Sequence, residues 1–394
     1  MSKQSVFVPN GNEDKQAIQK AVDACAAQGG GMVCVPAGEW VSGPIHLQSH
    51  VTLHLEDKAK IVFSSLPEDY LPPVFTRWEG MECWNYSPLI YARDCEDVAV
   101  TGQGTLIGNG ADWWDWKERQ QAAAEELCYA EKNGIPVDAR VYGTREAGLR
   151  PSFIQMIGCK GVTLSDFTIV DGPQWTIHPV YCENVRIAGV TVDTHGHNTD
   201  GINPDSCRHV VIEDCTLSTG DDCIAINAGM NEDGWRVGRP CEDVLIRRCH
   251  MNGGHGAIVI GSAVSGGVQN IHVEDCEARD TMWGIRVKSM RGRGGYVRDV
   301  HIQNVALHDI EREGIILSMF YEFSTVQPQN AVPTDIHDIT IEHVYGDCAG
   351  APIYVRGLPD SAIRDVHLND IHVNSPLKPV WTDAEGTVDG HDAL

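Results

Sequence analysis

Positive charge is scarce in this chain. Thirty lysines and arginines stand against 55 aspartates and glutamates in 394 residues, a net charge of −25. So acidic a surface repels polyphosphates and anionic lipid, so neither nucleic acid nor membrane is expected as a partner. Long apolar runs are also missing, and no stretch approaches the ~18–20 apolar residues of a membrane-spanning helix. The opening Met1-Ser2-Lys3-Gln4-Ser5-Val6 has no apolar core and no small-residue cleavage site, so no signal peptide is read there. Of the 14 cysteines, no two are spaced C-x-x-C, which removes the common zinc and redox motifs. Reduced thiols in a cytoplasmic protein are the expectation. With 42% hydrophobic residues the chain is too apolar to be disordered.

What is present is a repeat. Starting from Cys95, Cys159, Cys182, Cys207, Cys241, Val268, Val297, Ile336 and Ile363, the residue three positions on is always Val or Ile. The residue five positions on is always Val, Ile or Leu. Apolar residues at +3 and +5 alternate as a strand with one buried face does. Just before the +3 residue stand Asp97, Asn184, Asp243, Asn270, Asp299, Asp338 and Asp365, which mark a turn. From Cys159 onward the starts recur every 23 to 39 residues, which fits one turn of a β-solenoid made of three short strands. The fold expected is all-β, a single right-handed parallel β-helix over residues 1–374. Cysteines that share a coil position, such as Cys159, Cys182, Cys207 and Cys241, are read as stacked core and not as metal ligands.

Three segments depart from the repeat. Residues 13–28 are amphipathic, with Ile18, Ala21, Val22 and Cys25 on one face, and Asn12 is expected to cap them as a helix that lids the first coil. Residues 110–150 are a long excursion containing Trp113, Trp114 and Trp116 and a helix-like stretch over 118–132. Residues 375–394, with two prolines, are expected to be an irregular tail.

Polar groups interrupt the apolar pattern at one phase on four consecutive coils. Counted from their coil starts, Asn198 and Asp200 lie at +16 and +18, and Asp221 and Asp222 at +14 and +15. His255 lies at +14 of the next coil, and Arg286 and Lys288 at +18 and +20 of the one after. Three clustered carboxylates cannot all ionise cheaply, so one keeps its proton near neutral pH. A protonated acid beside an ionised partner is the equipment of glycoside hydrolysis. The cations suit an anionic sugar: residues 281–298 contain Arg286, Lys288, Arg291, Arg293 and Arg298 and no acid. A guanidinium fork matches a carboxylate, so a uronic acid is the natural ligand. Trp175, one coil before Asn198, and Trp283 are read either as sugar platforms or as packing. Because neighbouring strand residues face opposite ways, both Asp221 and Asp222 can enter one groove only if the chain bends at Gly220. His195-Gly196-His197 reads as a loop flanking the site, and Arg291 and Arg293 by default as a solvated loop.

The ordered set N-T-D-G, G-D-D, G-H-G and R-V-K at residues 198–201, 220–222, 254–256 and 286–288 resembles the polygalacturonase family, glycoside hydrolase family 28. That resemblance implies hydrolysis of α-linked galacturonate in pectin by single displacement with inversion and without a metal. It makes Asp221 the general acid, lets Asp200 and Asp222 activate water, and has His255 tune the acid. Arg286 and Lys288 would hold the substrate carboxylate, with Asn198 also at the substrate. Tyr321 is the candidate for the tyrosine the family places beyond the R-I-K motif, which is R-V-K here. The substrate expected is a galacturonate-containing oligosaccharide, and no cofactor is expected. Loops 64–87 and 110–150, together with cytoplasmic residence, point to exo-action on short oligomers. The alternatives are a rhamnogalacturonan or xylogalacturonan hydrolase, a calcium-dependent pectate lyase, and a tailspike-like binding module without catalysis.

Overall fold

In the computed structural model, which describes residues 6–321 and 331–393, the +3 positions form a single buried column. Val98 stacks on Val162, followed by Val185, Val210, Val244, Ile271, Val300, Ile339 and Val366, each one parallel register from the last. All nine are buried. A slip of one residue would turn the whole column toward solvent, so burial sets the register. The polar residues before this column shape the coil directly. Asp97, Asn184, Asp243, Asn270, Asp299, Asp338 and Asp365 all have φ between 50° and 58°, the left-handed region that Asn and Asp adopt at least cost among side chains with a Cβ.

The coils wind as a right-handed parallel β-helix with three faces. One face carries strands such as Lys160–Ser165 and Glu183–Ala188, and the second carries Thr168–Val170 and Thr191–Thr194. The third face, which holds the site, is divided. Ile45–His46, Ile90–Arg93, Ile154–Ile157 and Ile177–Val180 make one four-stranded sheet, and six strands from Ile224–Ile226 onward make another. Between them only single bridges at Ile202 and Asp205 continue the ladder. The break falls on the coil that carries Asn198 and Asp200. All 14 cysteines are free, and the shared-position set Cys159, Cys182, Cys207 and Cys241 is buried in the core, as are Cys215, Cys249 and Cys276.

Both ends differ from the sequence expectation. The lid helix is Ala17–Ala26, and it buries Ile18, Ala21, Val22 and Cys25 as expected. Asn12 does not cap it: its Nδ2 donates to the Glu39 carbonyl at 3.1 Å, tying the entry segment to the first coil. The described part of the tail, residues 375–393, is not irregular. Val380–Thr382 adds a strand to the third face, and Ala384–Val388 pairs in parallel with Ile363–Asn374. His391–Asp392 then folds back antiparallel and covers the open edge. Pro376 and Pro379 mark only the loop into this last coil.

A wall stands over the third face. A hairpin of Val74–Trp78 and Met81–Asn85 turns at Glu79 and Gly80 (φ 44° and 87°). The excursion folds into short helices Ala111–Trp114 and Trp116–Arg119 and a longer one, Gln121–Lys132. Ala124, Leu127 and Cys128 of the longer helix pack on Trp78, Met81, Cys83 and Leu149, forming a second small core. Buried ion pairs tie the wall to the coils: Arg77 to Asp205 at 2.9 Å, and Arg140 to Asp233 at 2.9 Å.

Candidate active site

Strand Thr216–Thr219 ends one residue before Gly220, and the next strand, Ile224–Ile226, starts after Asp222. The chain therefore bends where the sequence requires it to. A Cβ at Gly220 would stand 2.2 Å from the Gly196 carbonyl oxygen, so only glycine fits there. With the strand interrupted, neither Asp221 nor Asp222 enters the barrel core, and both line one pocket of about 410 Å³.

The same pocket is lined by Asp200, His255, Asn198, Arg286, Lys288, Tyr321, Trp175 and Trp283, so every residue given a catalytic or substrate-binding role in the sequence analysis meets there. One carboxylate oxygen from each of Asp200, Asp221 and Asp222 lies within 4.8 Å of the others. Asp221 Oδ1 accepts from His255 Nδ1 at 3.0 Å and from the Asp222 backbone N–H at 3.0 Å. Its Oδ2 faces Asn198 Nδ2 at 3.5 Å. Asp222 Oδ2 is salt-bridged to Lys288 Nζ at 2.6 Å, and Asp200 Oδ2 accepts from Asn203 at 3.0 Å. The other oxygens of Asp200 and Asp222 are buried and accept no hydrogen bond from the described residues. Two polar oxygens held open in this way are a seat for water.

Proton affinities divide the trio. Burial and the neighbouring Asp221 and Asp222 charges push Asp200 well above the carboxylate range. Burial also acts on Asp221, but the His255 hydrogen bond and the His255 and Lys288 charges outweigh it and hold its carboxyl below the ordinary value. The same hydrogen bond raises His255. Of the three carboxyls, Asp200 is thus the one pushed toward its protonated form, and Asp221, paired with His255, the one pushed toward its ionised form. Burial lowers Arg286; burial also acts on Lys288, but the Asp222, Tyr321 and Asp221 charges together outweigh it and raise Lys288.

The aromatic residues support the cations. The Arg286 guanidinium lies 3.7 Å from the Trp283 ring centroid, and Trp283 Nε1 donates to Glu313 at 2.8 Å. Arg286 and Lys288 stand 5.5 and 5.0 Å from the Tyr321 ring centroid. Trp175 is half-buried on the pocket wall, edge-on to His178. Trp113 and Trp116 are buried anchors of the excursion. His195 pairs with Asp193 at 2.9 Å, whereas His197 reaches the pocket. Arg293 corrects the solvated-loop expectation: it is fully buried, donates to Asn231 at 2.6 Å and lines the pocket, while Arg291 pairs with Asp360 outside it. Sequence reasoning missed Glu79 and Lys117, which line the pocket from the wall. The Glu-Gly turn between two alternating segments was a hairpin signal for the first, and nothing marked the second.

The donor set also bears on a metal. Three carboxylates this close could coordinate a divalent cation. Lys288 already pairs with one Asp222 oxygen and His255 with one Asp221 oxygen, so part of the charge that would attract such an ion is offset.

Such a site on such a fold defines the class: a glycoside hydrolase of the parallel β-helix type. Residues 138–385 match the family described as Glycosyl hydrolases family 28, and the chain belongs to it as a member of the polygalacturonase family. A hyperthermoactive exopolygalacturonase from Thermotoga maritima superposes with a TM-score of 0.92 at 31% identity, covering 99% of this chain and 93% of that one. A probable polygalacturonase of Vitis vinifera is 29% identical over 391 residues, 95% of this chain and 75% of the relative. An exo-poly-alpha-D-galacturonosidase of Dickeya chrysanthemi is 26% identical over 398 residues, 92% of this chain and 64% of the relative.

Proposed function

We propose that the protein removes single galacturonate residues from the end of short oligogalacturonides by an inverting, single-displacement reaction. The observation that carries the exo reading is that Glu79 of the hairpin and Lys117 of the excursion line the same pocket as the acid trio, so a wall stands where a groove for long polymer would continue. The similarity to exopolygalacturonases supports it.

Arg286 and Lys288 take the substrate carboxylate, beside the bond to be cleaved. Asp221 Oδ2 gives its proton to the leaving oxygen once substrate has dried the site and raised its affinity for one, and His255, whose Nδ1 lies 3.0 Å from Oδ1, steadies the carboxylate left behind. Water seated between the open oxygens of Asp200 and Asp222 attacks C1, and Asp222 accepts its proton. The short gap between the carboxyls would by itself suit a retaining enzyme, whose pair stands about 5–5.5 Å apart. Retention also needs one carboxylate free to bond C1, however. Here Asp222 is tied to Lys288, Asp221 to His255, and Asp200 is pushed toward its protonated form. The 14 free thiols suit a reducing compartment, so we also place the protein in the cytoplasm, where short oligomers would be its substrates.

Trigalacturonate and polygalacturonate, each with and without a calcium chelator, test this reading. Steady release of saturated monogalacturonate from the trimer, unaffected by chelator and first appearing as the inverted anomer by NMR, is the expected result. Mixed oligomers from polymer would overturn exo-action. A chelator-sensitive unsaturated product, absorbing in the ultraviolet, would reassign the carboxylates to calcium-assisted elimination.

A further inference from the structure

The excursion reaches the acid through one side chain. Asn198 Nδ2 faces Asp221 Oδ2 at 3.5 Å, and the opposite end of the same amide is held by two cations. Lys117 Nζ and Arg150 Nη2 both donate to Asn198 Oδ1 at 2.8 Å. An amide has one oxygen and one NH2, so two cations on the oxygen leave the NH2 pointing at Asp221. We propose that Lys117 and Arg150 are positioning residues for the general acid: they fix the Asn198 amide and favour the carboxylate that Asp221 becomes when it gives up its proton. This rests on the hydrolase reading above and assigns the excursion a part in the chemistry.

The placement of both cations is built. Lys117 follows Trp116, which is buried with its ring 5.0 Å from Trp113 and 6.0 Å from Tyr86. Trp114 Nε1 donates to the Gly172 carbonyl at 3.0 Å. A Cβ at Gly196 would lie 2.1 Å from that indole, so the turn leading into Asn198 is moulded on the excursion. Arg150, fully buried, also donates to Gln120 Oε1 at 2.9 Å, to the Pro173 carbonyl at 3.1 Å and to the His197 carbonyl at 2.7 Å. Three of its four partners therefore bracket the excursion and the Asn198 turn, and the fourth is the amide itself. Burial pushes Arg150 down to about 10, against the pull of Glu79 and Asp221, so it keeps its charge at neutral pH.

The chemical consequence lies in the transition state. Asp221 Oδ1 already has two donors, so Oδ2 is the oxygen left to carry the transferable proton. As that proton leaves, charge grows on Oδ2, and a hydrogen bond from Asn198 strengthens with it. An interaction that strengthens only then raises kcat and leaves KM alone. The other charged or titratable groups that act on Asp221 are His255, Lys288, Arg286, Asp200, Asp222 and Tyr321, and all of them stay in place when Lys117 is changed.

Lys117→Met keeps the aliphatic stem and removes the charge. On trigalacturonate, kcat should fall about tenfold with KM within about twofold. The alkaline limb of kcat/KM, which reports the proton held by the Asp221–His255 pair, should move about half a unit to higher pH. Lys117→Arg should recover most of the rate. Asn198→Gly removes the amide while still suiting the backbone φ of 57° there. In that background Lys117→Met should add no further loss in kcat, because its effect runs through the amide. A rise in KM at unchanged kcat would make Lys117 a substrate contact and overturn the proposal. Full additivity of the two substitutions would overturn it as well. An inactive wild type would defeat the hydrolase reading and the clamp with it, whereas an active wild type matched by Lys117→Met defeats the clamp alone.

Discussion

Along the coil stack, Val98 meets Val162 and Val162 meets Val185, each partner a turn or so of solenoid away in the chain and each pair apolar. In the wall, Arg77 meets Asp205 and Arg140 meets Asp233 across 128 and 93 residues, as charged pairs with almost no exposure. The stack is stabilised by many interchangeable burials, which tolerate local damage. The wall hangs on a few ion pairs, each buried so deeply that losing one partner strands a charge. The acid trio belongs to the stack, and the closure of the pocket and the grip on Asn198 belong to the wall. The carboxylate trio and the wall of its pocket are therefore carried by parts of the molecule held together by different physics.

The largest effect should come from the stack's own chemistry. Asp221→Asn should lower kcat by about 10³-fold with little change in Tm, since the group lies in the pocket and not in the core. Parallel kinetics and calorimetry decide it, and a large drop in Tm would mean that the trio also holds the coil. Next comes the wall. Arg77→Met leaves Asp205 buried without its main counter-charge and should destabilise by about 3–5 kcal/mol, read by urea titration. If the hairpin detaches as a unit, the variant should also release longer products from polygalacturonate, which would sharpen the division of labour. For the stack, Ile212→Ala should cost about 2–4 kcal/mol through the cavity it leaves, with product lengths unchanged. A change in product pattern there would break the comparison.

A smaller effect concerns pH. The folded pKa of His255 is raised, so its contribution to stability is fully present below the unfolded value of 6.5 and is lost as pH rises through the folded value. Wild type and His255→Gln should therefore differ more in Tm at acidic than at alkaline pH, and equal differences at both would show that the pair with Asp221 adds no stability. Smallest of all, Arg186→Ala removes one of several guanidiniums on Glu213 at the surface and should shift stability by under about 1 kcal/mol.

The repeat was readable because its rule is local. The left-handed Asp and Asn residues before the +3 column, the alternating Val and Ile, and the bend demanded at Gly220 all follow from neighbouring residues, and the structure contains each of them. The misses have a shared cause. Asn12 was taken for a helix cap from its neighbours, yet its amide is used by Glu39, 27 residues on. The tail looked irregular because its prolines are visible in sequence and the strand that awaits it is not. Arg293 looked solvated because nothing nearby in the chain announces Asn231.

Repeat phase was enough to read the barrel, its register, and the alignment of Asp200, Asp221, Asp222, His255, Arg286 and Lys288 on one strip, because a solenoid converts position within a repeat into position in space. The order of proton affinities among the three carboxyls, the wall over the pocket and the two cations on Asn198 Oδ1 emerge only in the folded chain. Those outcomes depend on burial and on charges brought together from distant, non-repeating segments, where no spacing rule links one residue to the next.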